Sequence, residues 1–336
     1  MGIDAAGLED WVGRVLSAAG LPADDAALAA FELVAADRRG QITHGVARLS
    51  GYVANVLEGR ANPTPKLGIE ETGGVLRIDG DLGLGQVVAA RAVEAAVERL
   101  GDRALQVFFL RRVGHLGALG GYVRRGVAKG KIALITQVAQ PAMAPEGSLG
   151  AAIGNNPLAF AAPVPGGPPL VVDLSFSKVA RGNVLLAART GKPIPDDWAI
   201  GPDGRPTTDP VEAAKGAMLP VGGHKGLGLA MVVQVLAGAL TGSLPRANAL
   251  LGSASEVGAF GLVADPAAII GADAYAENMN AWIAHYRSTV GAHGRLPGEG
   301  AAATEALSAR EGIALSPVIL EELGRVGQRV GVPFPA

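Results

Sequence analysis

From Val75 to Val263 short apolar runs alternate with alanine-rich stretches of helical character, and the chain ahead of Asn62 carries helical periodicity only. No other feature narrows the fold as much. Strand–helix alternation requires a sheet covered by helices, so the chain is read as α/β of the mixed α+β kind with a helical segment in front. The strand runs are Val75–Ile78, Leu105–Phe109, Ile132–Thr136, Leu158–Ala162, Leu170–Asp173 and Phe260–Val263, with helices expected over Gln86–Leu100, Leu119–Lys129 and Leu227–Leu240. In front, Leu28, Phe31 and Val34 mark one face of a helix that breaks at Gly40, and Val46 to Leu57 starts another. Asp209-Pro210-Val211-Glu212 is a helix start, with Asp209 as cap, Pro210 in the first position and Glu212 placed for a capping box. Asn62-Pro63-Thr64-Pro65 is a loop, and the Ala/Gly-rich Gly298–Ala303 reads as a mobile one. The expected division is a helical unit over 1–70, joined by C-terminal helices in 301–336, and a unit of strands and helices over 71–300.

Composition sharpens this picture by exclusion. With 49 glycines and 4% aromatics, the interior is built from Ala, Val and Leu. A net charge of −2 gives no electrostatic case for nucleic acid. The absence of cysteine removes disulfides, thiol nucleophiles and thiolate metal sites, and fits a reducing cytoplasm. Asp4, Glu9 and Asp10 interrupt the N-terminus, so no secretory signal is expected there. Gly226 to Pro245 lacks charge, but Gln234, Thr241, Ser243 and four glycines make it a buried helix rather than a membrane span.

Gly80-Asp81-Leu82-Gly83-Leu84-Gly85 follows a strand and precedes a helix, as a dinucleotide fingerprint does. Counted from Gly83, however, the position that needs a third small residue holds Val88, so a plain strand-to-helix turn explains the stretch equally well. Three histidines lie among glycines: His44, His115 and His224. Their spacing matches no short metal-ligand pairing, so a zinc site would have to assemble through space. The remaining pair, His285 and His293, has ordinary surface surroundings.

The run Asp37-Arg38-Arg39-Gly40-Gln41-Ile42-Thr43-His44-Gly45-Val46-Ala47-Arg48 sets a histidine and an arginine four residues apart. Histidine gives and takes a proton near neutral pH, and a guanidinium grips a carboxylate through two hydrogen bonds. That pairing suits a small 2-oxo or 2-hydroxy acid. A capping Thr43 beside a surface histidine accounts for the spacing as well. Leu170-Val171-Val172-Asp173-Leu174-Ser175-Phe176-Ser177 is an apolar strand ending in an acid and two hydroxyls, either a ligand site at a strand's carboxyl end or a simple Asx or Ser turn.

Taken together, these fragments resemble the malate/L-lactate dehydrogenase family that is distinct from the Rossmann-type enzymes. The resemblance rests on Asp37 through Arg48, Gly114-His115-Leu116-Gly117, Gly154-Asn155-Asn156-Pro157, Val172 through Ser177, Gly201 through Pro210, Gly222-Gly223-His224-Lys225-Gly226 and Arg295-Leu296-Pro297-Gly298-Glu299. It implies a non-Rossmann nicotinamide-binding domain with a mixed, largely antiparallel sheet, a homodimer, and NAD or NADP as cofactor. It also implies His44 as proton donor, Arg48 as carboxylate clamp, and Thr43, His115 and Asn156 at the substrate. Val172, Asp173, Leu174, Ser175, Phe176, Ser177, Lys178, His224, Lys225, Gly298, Glu299 and Gly300 would meet the dinucleotide, with Asp173 either catalytic or orienting. No metal is implied. Thr43, Gly114, Gln137, Pro145-Glu146-Gly147-Ser148 and Lys178 depart from the family pattern and point to a specialised substrate. The rival readings are a cyclic imine reductase, a non-catalytic dimeric binding protein and a metal-dependent hydrolase.

Overall fold

The computed structural model describes residues 2–243 and 257–335. Two helices, α1 (Ala5–Ala18) and α2 (Ala23–Arg38), open the chain, followed by two 3-10 turns, Ile42–His44 and Val46–Arg48, and by α3 (Leu49–Leu57). Strands β1 (Gly68–Thr72) and β2 (Val75–Gly83) lead into α4 (Gly85–Leu100), β3 (Leu105–Val113), α5 (Gly120–Val127) and β4 (Ile132–Gln137). Next come β5 (Pro141–Met143), β6 (Ile153–Gly154), β7 (Leu158–Ala162), β8 (Leu170–Leu174), α6 (Arg181–Thr190), β9 (Ala199–Ile200), α7 (Pro210–Lys215) and β10 (Ala217–Met218). The chain continues through α8 (His224–Val233), a π-helical turn Gln234–Ala239, β11 (Val257–Ala264), α9 (Pro266–Ile270), α10 (Ala272–Val290), α11 (Glu299–Glu311) and α12 (Pro317–Arg329).

The main sheet runs β1-β2-β3-β11-β4-β7-β8, and β2–β3 is its one parallel pair. The mixed, largely antiparallel sheet is therefore present. A Rossmann sheet, which is mostly parallel, is not. A smaller sheet, β6-β5-β10-β9, stands beside it. Alanines make the packing close: Ala89, Ala92 and Ala96 of α4 are sealed against a core that contains Phe108, Leu110 and Ile135 of the sheet. A second cluster unites Trp11, Leu16, Leu33, Val53 and Leu84 with Ile313, Leu323 and Val326, so the C-terminal α12 packs with the N-terminal helices.

Each strand predicted in the sequence exists, and β2, β3 and β11 extend past the predicted limits. Other expectations need correction. In α2 the inward face is Ala26, Ala29, Ala30, Leu33 and Val34, whereas Phe31 is exposed with the Arg125 guanidinium 5.7 Å from its ring centre. Small side chains fill that helix contact, and the largest apolar residue is therefore a poor guide to its face. The helix foreseen from Val46 begins as a 3-10 turn and becomes α-helical at Leu49. Gly298–Ala303 is no loop but the start of α11, whose entry Gly298 holds a left-handed φ of +100°. At α7 Asp209 caps Val211 N at 2.8 Å as expected, yet Glu212 pairs with Lys215 and leaves Asp209 N to the Thr207 hydroxyl. The uncharged stretch from Gly226 forms α8 and the π turn, and its end at Pro245 lies outside the described residues. Among the described residues no helix is long and apolar enough to cross a membrane.

Candidate active site

The His44 loop is set by its neighbours on both sides. Gly40 takes a left-handed φ of +81°, which turns the chain out of α2. Gly45 has an ordinary φ but no free space, because a Cβ there would lie 2.1 Å from Asp37 Oδ1. The buried Asp37 carboxylate fills that gap and accepts from Val46 N at 2.7 Å. Burial pushes its carboxyl up to about 7, partly offset by the Val46 bond. Next to it the Thr43 hydroxyl lies 2.9 Å from His44 Nδ1, and Arg48 Nε donates to Thr43 O at 2.9 Å. These bonds leave His44 Nε2 and both terminal nitrogens of Arg48 without a protein partner among the described residues. His44 is held below its usual range by burial and then by the Arg48 charge, with Asp173 opposing both.

The His115 loop, between β3 and α5, is clamped from all sides. Gly114 N donates to Gly83 O at 3.0 Å, and a Cβ on Gly85 would sit 2.2 Å from His115 O. The glycines of the false fingerprint thus serve a backbone-to-backbone approach. With Gly85, Gln86, Val87 and Val88 all buried, the N-terminus of α4 has no room for a pyrophosphate. Gln137 Oε1 accepts from Leu116 N at 3.0 Å, and the Tyr122 hydroxyl bonds Leu116 O. The Tyr52 hydroxyl, from α3, is 2.9 Å from His115 Nδ1. The His115 ring lies near-parallel to two others, its centre 6.1 Å from that of His44 and 6.3 Å from that of Tyr52. Burial, reinforced by Arg48 and His44, pushes His115 down to about 3, and burial pushes Tyr52 up to about 12.

Both histidines line a cavity of about 170 Å³ with Gln41, Gln137, Asn155, Asp173, Leu174 and Ser175. An adjoining hollow of about 490 Å³ shares His44, His115, Gln137 and Asn155 and adds Thr43, Arg48, Tyr52 and Arg181. Asp173 Oδ2 accepts from Gln41 Nε2 at 2.8 Å and from Gly120 N at 2.9 Å. A flat amide-bearing ring fits this chamber, since the Asn155, Asp173 and Ser175 polar groups stand among the apolar walls of Pro157, Leu174 and Ala180.

The structure thus brings Thr43, His44, Arg48, His115, Asp173, Leu174 and Ser175 together, but not every residue singled out in the sequence. Asn156 does not reach the cavity. It is fully buried at φ +33°, its amide spent on Ala139 N, Ala230 O and Gln234 Oε1, and Asn155 takes the wall position. Phe176 belongs to the core and the buried Ser177 hydroxyl donates to Val179 O. Lys178 pairs with Asp197 at 2.8 Å. Val172 lies mid-strand, His224 and Lys225 are exposed at the start of α8, and Glu299 caps Leu296 N at the start of α11 beside Gly298 and Gly300. None of these lines either hollow. His44 and His115 meet without His224, and among the described residues no group of three or more His, Cys, Asp or Glu could hold a metal. Gln41, Tyr52, Gln86 and Arg181 were missed. Tyr52 had a signal, standing eight residues, about two helical turns, beyond His44.

A family model for malate/L-lactate dehydrogenase matches residues 3–324. A (2R)-3-sulfolactate dehydrogenase (NADP(+)) of Chromohalobacter salexigens is 39% identical over 288 residues, covering 84% of this chain and 85% of that one. A Delta(1)-pyrroline-2-carboxylate reductase of Pseudomonas fluorescens is 33% identical, covering 92% and 94%. The solved malate dehydrogenase of Pyrococcus horikoshii superposes with a TM-score of 0.88 at 31% identity, covering 100% of this chain and 97% of that one. A mixed-sheet fold around a histidine–arginine cavity defines an oxidoreductase outside the Rossmann class. The chain belongs to the malate/L-lactate dehydrogenase family and is an NAD(P)-dependent oxidoreductase.

Proposed function

We propose that the protein reduces a small 2-oxo acid to the 2-hydroxy acid, and that it also runs the reverse reaction. The observation that carries this reading is the meeting of His44, Arg48 and His115 at one hollow, which adjoins the cavity at the end of β8 through the two histidines. When bound, the nicotinamide supplies the hydride. The residues at the end of β8, Asp173 through Ser175, with Asn155, would hold the ring.

Arg48 fixes the substrate carboxylate through its two terminal nitrogens, since its Nε is already committed to Thr43 O. His44 delivers the proton from Nε2, while Nδ1 stays on the Thr43 hydroxyl. A depressed imidazolium is a stronger acid and gives its proton up more readily. Asp173 faces the same cavity and favours the charged form of His44, so it restrains that depression.

A homodimer is supported by the apolar outer face of α8 and the turn after it, where Leu229, Met231, Val232 and Val235 are exposed. The absence of cysteine supports a reducing, cytoplasmic setting. The division into a helical unit over 1–70 with 301–336 and a second unit over 71–300 is supported by an apolar cluster of the N- and C-terminal helices, to which the second unit adds Leu84 and Val87, distinct from the cluster of the main sheet.

Cyclic imine reduction is the second reading, favoured by the likeness to the pyrroline-2-carboxylate reductase. The test is oxidation of NADH and NADPH, followed by absorbance, against pyruvate, oxaloacetate, sulfopyruvate and the two cyclic imino acids. Turnover of an oxo acid supports the first reading, and turnover of imines alone supports the second. Nicotinamide binding absent by calorimetry, with silence across the panel, overturns both.

A further inference from the structure

We infer that Arg181 is a specificity-determining residue that binds a second anionic group on the substrate, so that the preferred acceptor is a dianionic 2-oxo acid rather than pyruvate or a cyclic imino acid. This rests on the reductase reading above and narrows its substrate class.

The hollow beside His44 carries an unbalanced charge. Its walls include Arg48, Arg60 and Arg181, and among the described residues no aspartate or glutamate lines it. Arg60 is already satisfied, since its Nε donates to Asn55 Oδ1 at 2.9 Å and Glu58 takes a terminal nitrogen. Arg48 gives only its Nε, to Thr43 O. The Arg181 side chain has neither a hydrogen bond nor an ion pair among the described residues. Two guanidinium forks therefore line one space with no acid beside them.

The start of α6 fixes where Arg181 stands. Val184 of that helix is buried in a cluster with Ile194 and Met218, and Met218 lines the same hollow. Gly182 packs on the His44 turn, where an added Cβ would come 3.8 Å from Thr43 Cγ2. The same Thr43 holds His44 Nδ1 with its hydroxyl and Arg48 Nε with its carbonyl. One residue thus ties together the proton donor, the carboxylate clamp and the helix that carries the second fork.

Charge also separates the place of the ring from that of the second anion. The cavity at the end of β8 is lined by Asp173, which repels an anion, and Arg181 is not in its wall. The hollow of Arg48 and Arg181 attracts one. A substrate gripped at its 2-oxo carboxylate by Arg48 finds there a second fork for a carboxylate or sulfonate, either of which takes paired hydrogen bonds. The methyl of pyruvate and the apolar ring of a cyclic imino acid offer that fork nothing, and a site built to bond a group discriminates against analogues that lack it. Both arginines are exposed, so water competes, and the expected discrimination is about ten- to hundredfold.

The test compares kcat/KM for oxaloacetate and sulfopyruvate with that for pyruvate in the wild type, Arg181→Met and Arg181→Lys. The wild type is expected to favour one or both dianions by at least about tenfold, and the better one identifies the second group as carboxylate or sulfonate. Arg181→Met should lower kcat/KM on the favoured dianion about ten- to hundredfold, mainly through KM, and on pyruvate by less than about threefold. Arg181→Lys keeps the charge without the fork and should fall between. A wild type as active on pyruvate as on both dianions overturns the inference, and so does an equal loss on all three. A raised KM for NADH or NADPH with an unchanged ratio among acceptors gives Arg181 to the dinucleotide and overturns it as well. Calorimetry with succinate and butyrate needs no turnover: succinate should bind at least about tenfold more tightly, and Arg181→Met should erase the difference. An enzyme silent on every acceptor sinks the reductase reading, whereas equal binding of succinate and butyrate sinks the role of Arg181 alone.

Discussion

The two histidine loops face one cavity and are built to opposite ends. His44 rides on a half-exposed turn, held by one hydroxyl and propped from below by a buried acid. His115 sits at a strand–helix junction whose supports are amides, backbone and a phenol. The first set can change charge near neutral pH and the second cannot. A reductase needs both kinds of group: one that moves a proton and one that stays fixed while it moves.

The comparison breaks most visibly through deletion. His44→Ala should lower kcat on a 2-oxo acid by roughly 10²- to 10⁴-fold, the range for a lost general acid, with little change in melting temperature. His115→Ala should lower both, because it removes a half-buried ring whose Nδ1 is tied to the Tyr52 hydroxyl. Calorimetric scans alongside steady-state rates check this. Equal melting temperatures for the two variants would show that the loops are not supported differently.

Gly45→Ala probes the prop under the first loop. The added methyl meets the Asp37 carboxylate, a neighbour fixed by its bond to Val46 N, so the loop or the acid must shift. A loss of about 1–3 kcal/mol in urea unfolding is expected, as for overpacking elsewhere. Gly51, with nothing near its Cβ position, is the control, and Gly51→Ala should cost nothing.

That contrast also bears on what the sequence discloses. The Asp37–Arg48 run, with its histidine and clamp, was readable because each residue type announces its chemistry. So were the strands, whose apolar runs are continuous. The wall role of Asn155 was not, because two adjacent asparagines look alike and only the φ of +33° at Asn156 turns that amide inward. Tyr52 was marked only by its spacing from His44, for another reason. Its place at the site rests on one hydrogen bond to a residue 63 positions away, which α3 and the β3–α5 junction bring together. The exposure of Phe31 has the same lesson at the level of packing, since the alanines beside it form the contact.

The pH profile sharpens the division further. His44 must be protonated to reduce and neutral to oxidise. With its pKa below the usual value, kcat/KM for reduction should fall tenfold per unit as pH rises past a point under about 6.5, and the oxidation direction should gain over the same interval. His115 adds no second limb in that range, having been pushed down to about 3. A bell with a lower limb between about pH 5 and 8 in the reductive direction would contradict that assignment.

Asp37 gives a final and more delicate signal, in stability rather than rate. Its folded pKa of about 7 lies above the unfolded value of 3.8, so the folded state binds the extra proton between them. The stabilisation is fully present below the unfolded value and is lost as pH rises through about 7, with a slope of up to about 1.4 kcal/mol per pH unit. His44 works the other way, since its depressed pKa makes stability fall as pH drops. The two must therefore be separated by subtraction. Asp37→Asn keeps an oxygen for Val46 N and places an amide nitrogen where Oδ1 has no partner, which mimics the protonated acid. Urea melts of both proteins at a series of pH values should converge below about pH 4, diverge in favour of the variant between about pH 4 and 7, and stay separated above that. Parallel curves would mean that Asp37 stays ionised, and that the prop under His44 is as insensitive to pH as the clamp around His115.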